Sequence, residues 1–244
     1  MEVIPVGELH DFLSLVDENP PPWSQDIPDM RNFPEMMCSP FITRILREKG
    51  MAVCMDRITG HNDGPGRGMS WRGLLENDGC YSPGEPIACM SEDGVDLVVT
   101  DGLYSVCRAR FQYYREKRLP VLSDVHLTTL TVDTVMEKAC AELTHLLSDP
   151  SFPVCGKVTC RHKRINIIDD CGPGWLLDMY RPEVNVEFYG DTAGHLPERV
   201  TCHHVRDVYR LLSALSDAER DIRIRNKTTS LRSWWHRFAG RGQG

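Results

Sequence analysis

The chain has 244 residues, with 28 Lys+Arg against 35 Asp+Glu and a formal charge of −7. Its 41% apolar and 26% charged residues are the composition of a soluble globular protein, with chain enough for one large core or two small ones. No run of about 18 apolar residues, no basic-then-apolar leader over residues 1–5 and no fixed-period repeat is present, which argues against a membrane span, a secretory signal and a solenoid. The ten cysteines are scattered over the whole chain and read as reduced, mostly buried thiols rather than a disulfide framework.

Val6, Leu9, Phe12, Leu13 and Val16 stand at helical spacing and predict a short amphipathic helix, ended by Pro20-Pro21-Pro22. Residues 23–37 are punctuated by proline and read as a strap or linker. Residues 1–38 carry eight acids and only Arg31 as a base, so they form an acidic N-terminal segment. Ser39 as N-cap, Pro40 at the first helical position and Gly50 at the end predict a helix with Ile42, Ile45 and Leu46 inward. Residues 51–58 read as a strand and residues 60–68 as a turn cluster. Gly64-Pro65-Gly66-Arg67-Gly68 lacks the Gly-Lys-Ser/Thr ending of a phosphate loop and reads as a hairpin or mobile loop.

From Val95 the pattern is β. Val95, Leu97 and Val99 make one run, Asp101-Gly102 a turn, residues 104–111 a second strand and residues 125–132 a third. Thr134 and Glu137 form a capping box that opens a helix with Val135, Met136, Ala139, Leu143, Leu146 and Leu147 inward, stopped by Asp149-Pro150. Short strands over 154–160, 164–168, 175–179 and 184–189 follow. A helix over 203–215 buries Val205, Val208, Tyr209, Leu212 and Leu215. Strands in the middle with helices at both ends predict an α+β fold with an all-β core.

The stretch Asp96-Leu97-Val98-Val99-Thr100-Asp101-Gly102-Leu103-Tyr104-Ser105-Val106-Cys107-Arg108-Ala109 resembles the second-to-third strand hairpin of an OB-fold. It is most similar to the N-terminal OB domain of the replication protein A large subunit and to related telomere and recombination proteins. The resemblance implies an OB-like small β-barrel over residues 39–200, with 154 onward completing it or forming a second lobe. It also implies a ligand face at the strand end, where Arg108, Arg110, Tyr113, Tyr114, Arg115, Lys117 and Arg118 would suit single-stranded DNA. The plainer alternative is that the tyrosines are core and the bases solubilise an edge.

A C-terminal helix over 201–221 is followed by a basic tail over 222–244, with six bases and no acid, which leaves the rest of the chain at −13. The tail carries Trp234, Trp235, Arg237 and Phe238, a basic-aromatic set suited to a nucleic acid, a membrane surface or an acidic groove on a partner. The alternative is that the tryptophans fold back on the domain.

Chemistry is sparse. Cys155, Cys160, His162, Cys171, Cys202, His203 and His204 are the one metal-like set, but Cys155 and Cys160 lack knuckle spacing and no second knuckle matches them, so no metal site is assigned. Asp169-Asp170 would point to opposite faces of a strand and reads as a turn. No nucleophile elbow, zincin pair or dinucleotide fingerprint occurs. The expectation is a non-enzymatic protein without cofactor, nuclear or else cytoplasmic, in a replication, telomere or recombination assembly. It would contact single-stranded DNA, a partner subunit or both. The alternative is a pure interaction module that docks through its C-terminal helix and Trp-rich tail.

Overall fold

The computed structural model describes residues 6–18, 23, 26–27, 38–62, 72–73, 86–92, 94–168, 174–189 and 197–239, without the side chains of 6 and 225–239. The chain divides into two compact units, residues 1–132 with 164–180, and residues 133–163 with 181–244.

The first unit opens with helix α1 (Val6–Glu18). Residues 39–50 then depart from the expected helix, because strand β1 runs over Ile42–Cys54. Its neighbours explain the difference. Antiparallel ladders hold β1 on both sides, to β5 (Val121–Val132) with Ile45 opposite Leu130, and to β7 (Trp175–Tyr189) with Leu46 opposite Leu177. Ile42 and Ile45 satisfy a helical period, but two paired edges outweigh a local capping preference. The Ser39 hydroxyl accepts from the Phe41 N–H, and Gly50, at φ 71°, sits at an irregularity in the β1 to β5 register rather than at a helix end.

A single 3₁₀ turn, Met55–Arg57, leads into β2 (Ile58–His61), which runs parallel to β4 (Leu97–Asp101). Strand β3 (Ala88–Glu92) lies between β4, antiparallel, and β5, parallel. After Gly102 the chain turns into helix α2 (Leu103–Glu116), where the sequence pattern had suggested a strand over 104–111. The buried positions 103, 106, 107, 110 and 111 follow the 3.6-residue period, and Arg110 standing among them obscured it. Gly102 takes φ 79° at the helix start, and a Cβ there would lie 3.1 Å from Ile87 Cα. Glycine is therefore needed for both conformation and space.

Alternation along the strands sends residues into two apolar clusters. Phe12, Val16, Leu103, Val106, Cys107 and Phe111 of the helices meet Val53, Cys89, Leu97, Val99, Leu122 and Leu127 on one face. Ile42, Ile45, Met90, Val98 and Leu130 pack together on the other, with Val132 and Tyr180 against them.

The second unit contains helix α3 (Thr134–Ser148), parts of β6 (Cys155–Ile168) and β7, strand β8 (Arg199–Cys202) and helix α4 (Val205–Ala239). The cap of α3 is Asp133, whose carboxylate accepts the Met136 N–H at 2.9 Å, so the capping signal sits one residue before the expected Thr134. Met136, Ala139, Cys140, Leu143 and Leu147 are buried on α3, and Val208, Leu211 and Leu215 on α4, whereas Val135 and Tyr209, expected inward, are exposed on the far sides of their helices. The four short strands expected between 154 and 189 are two long ones, β6 and β7. Strand β8 pairs antiparallel with β7, Val186 opposite Val200.

The protein is thus mixed α and β, with four α-helices and eight strands among the described residues. The strand order is β2-β4-β3-β5-β1-β7-β6, with β8 on β7. The sheet ends at β2 and at β6 and does not close into a barrel.

Candidate functional site

The seven residues expected at a single-strand face lie on α2 and just beyond it, and a helix distributes them around its axis. Arg110 is 1% exposed within the apolar cluster of α1 and α2, and burial lowers its pKa, with Cys107 and Asp26 opposing that shift. Tyr113 donates its hydroxyl to the Val121 carbonyl. Tyr114 packs 5.1 Å from the Phe12 ring, which itself meets Phe111 edge-on at 5.8 Å. Arg108 is half-buried, while Arg115, Lys117 and Arg118 are exposed. Glu116 pairs with Arg118 at 2.8 Å and with Arg115 at 3.9 Å. The aromatic residues therefore serve the core, and the bases at the helix end share an acid.

The cysteine and histidine set is also dispersed. Cys155 is exposed, His162 half-buried and Cys202 buried. His203 Nδ1 stands 3.8 Å from Glu183 Oε1. Among the described residues no group of three or more His, Cys, Asp or Glu stands together as metal ligands would. Asp169, Asp170 and Cys171 lie outside the described residues. The backbone is helical through Trp234, Trp235, Arg237 and Phe238, whose side chains are outside the description.

Three features escaped the sequence pattern. The first is the charge of β6. Lys157, Arg161 and Lys163 occupy alternate, exposed positions, Arg164 follows, and the strand carries no acid. Its acids come from β7, where Glu183 accepts from Arg161 Nε at 2.8 Å. The second is Asp178 on β7, 2% exposed, held by Arg47 at 2.6 Å and by Arg164 at 3.3 Å. The run Arg161-His162-Lys163-Arg164 was the available signal for both. The third is a thiol pair in which Cys140 Sγ and Cys160 Sγ are 3.0 Å apart, and twenty residues of separation gave no motif to find it by.

Helix α4 changes character along its length. Val208, Leu211 and Leu215 are buried and Ala218, Glu219 and Ile222 half-buried, whereas Arg220, Asp221, Arg223 and Ile224 are exposed, Ile224 to 55%. The helical backbone runs on to Ala239, about 36 Å beyond Leu215 at about 1.5 Å per residue. Among the described residues no helix is long and apolar enough to cross a membrane.

No family model matches the chain, and no curated protein or solved structure shows significant similarity to it.

Proposed function

We propose that this chain is a non-enzymatic interaction protein that docks a partner subunit by laying the C-terminal part of α4 into an apolar groove with an acidic rim. The observation that carries this reading is the continuation of α4 past its buried stripe. A helix draws most of its stability from the face it packs, and from residue 223 the exposed positions include an isoleucine while the sequence holds five further bases and no acid. Leu231, Trp234, Trp235 and Phe238 recur at i, i+3, i+4 and i+7, the spacing by which one side of a helix is read in a groove. Arg225, Lys227, Arg232 and Arg237 supply the complement to an acidic rim.

The test is affinity purification of the tagged full chain from its native cells, followed by reconstitution with the purified partner. Trp234→Ala with Trp235→Ala is expected to abolish that binding while leaving the thermal midpoint of the chain unchanged. Retained binding by the double variant rejects the reading, as does binding to anionic vesicles with no protein partner.

A second reading is single-strand contact by an OB-like protein in a nuclear genome-maintenance assembly. It is favoured by the alternating Lys157, Arg161 and Lys163 on β6, a row that suits a polyanion. Binding to a labelled oligothymidine, weakening steeply with salt and lost on Lys157→Ala with Lys163→Ala, would support it over the first.

A further inference from the structure

We infer that Cys140 and Cys160 form a redox modification site, a pair of thiols placed to close reversibly into an intrachain disulfide when the chain meets a peroxide. The two sulfurs are 3.0 Å apart, one on α3 and one on β6, within the second unit. Cys140 lies on the inner face of its helix with Met136, Leu143 and Leu147. Cys160 is half-buried on a strand whose two sides alternate and is the more exposed residue of the pair. Cys155 occupies the opposite side of β6 by strand parity, and Cys202 is buried.

The chemistry balances with the peroxide alone. One sulfur of the pair, as thiolate, attacks the O–O bond and takes one oxygen as a sulfenic acid, and the other oxygen leaves as hydroxide, which is protonated to water. The second thiol then attacks that oxidised sulfur. The S–S bond forms, the S–O bond breaks, and the oxygen leaves as a second water. The two thiols together give up two electrons, and the peroxide is reduced. An external dithiol reverses the closure by exchange through a mixed disulfide.

The contact between the two thiols lowers the Cys140 pKa against the opposing effect of burial. The same contact, with burial, raises the Cys160 pKa. Closure would tie a helix to a strand across twenty residues of chain and restrict the unfolded state.

The experiment treats the full chain with equimolar hydrogen peroxide in thiol-free buffer under native conditions, then maps its peptides without reduction. The expected product is one cross-linked peptide pair joining Cys140 to Cys160, released by dithiothreitol and accompanied by a rise in thermal midpoint. Cys140→Ser and Cys160→Ser abolish it, and Cys155→Ser and Cys202→Ser leave it. A sulfinic acid on either Cys140 or Cys160 with the other unmodified overturns the inference, as does a cross-link to Cys155 or Cys202, or oxidation of Cys155 with no cross-link. The wild-type map decides the matter without the variants, so a folding defect in a serine variant does not obscure the answer.

Discussion

Asp178 offers the sharpest test of the first unit. Its side chain is 2% exposed, whereas Arg47 and Arg164, which hold it from β1 and β6, are 40% and 52% exposed. Removing one partner of a fully buried ion pair costs about 3–5 kcal/mol, because the remaining charge is stranded. Here the carboxylate is the buried member, and the guanidinium groups reach water. Arg47→Ala, which removes the 2.6 Å contact, should therefore cost about 2–3 kcal/mol, below that range because Arg164 remains. Arg164→Ala removes a 3.3 Å contact from a half-exposed base and should cost no more than about 1 kcal/mol. Asp178→Asn keeps the shape and one acceptor and should cost about 1–2 kcal/mol. In that background Arg47→Ala should add under about 1 kcal/mol, since no buried charge is left to strand, giving a coupling of at least about 1 kcal/mol. Urea unfolding followed by both circular dichroism and fluorescence measures all four. Equal costs for the two arginines, or strictly additive costs for Arg47→Ala and Asp178→Asn, would refute the account.

Three further outcomes are expected. In Gly156→Ala the new methyl would stand 2.9 Å from the Glu187 carbonyl and 3.3 Å from Leu147 and Phe188, so the backbone must shift. The variant should lose about 1–3 kcal/mol in denaturant titration. Asp133→Ala should cost about 1 kcal/mol in the same measurement, and Thr134→Ala much less, because Asp133 accepts the Met136 N–H. Burial pushes the Cys89 thiol up from 9.0 to about 12. Its neutral form is favoured in the fold, so its contribution is intact below pH 9 and is lost as pH rises toward 12, where the unfolded thiol ionises first. The stability difference between the wild type and Cys89→Ala should shrink over that window, and a constant difference would exclude the linkage.

What the sequence disclosed about the fold depended on whether local and tertiary preferences agreed. Helices α1 and α3 and the first turns of α4 were legible because their apolar residues recur at helical spacing and their ends carry proline, aspartate or histidine signals. Residues 42–50 and 103–116 were misread in opposite directions. Ser39-Pro40 and Gly50 imitate helix boundaries, yet the segment is paired on both sides, and only partners far along the chain, such as Leu130, reveal that. Residues 103–111 alternate well enough to imitate a strand because Arg110 occupies a core position of α2. A charged residue in the buried stripe removes the one contrast that separates the two periods.

The same ambiguity governs the candidate sites. The basic and aromatic stretch from Arg108 to Arg118 has the composition of a nucleic-acid face. Composition alone does not orient it, and at 100° per residue a helix turns Arg110, Tyr113 and Tyr114 toward Phe12, Phe111 and Val121. On β6 the opposite holds. Lys157, Arg161 and Lys163 were inconspicuous among Thr, Cys and Ile, but a period of two sets them all on one exposed side. A charge run becomes a surface only when the residue period matches the element that carries it. By that criterion β6 presents its bases and α2 does not. On α4 the spacing of Leu231, Trp234, Trp235 and Phe238 agrees with the helical backbone that carries them. That agreement is why the docking proposal rests on α4 rather than on the tyrosines of α2.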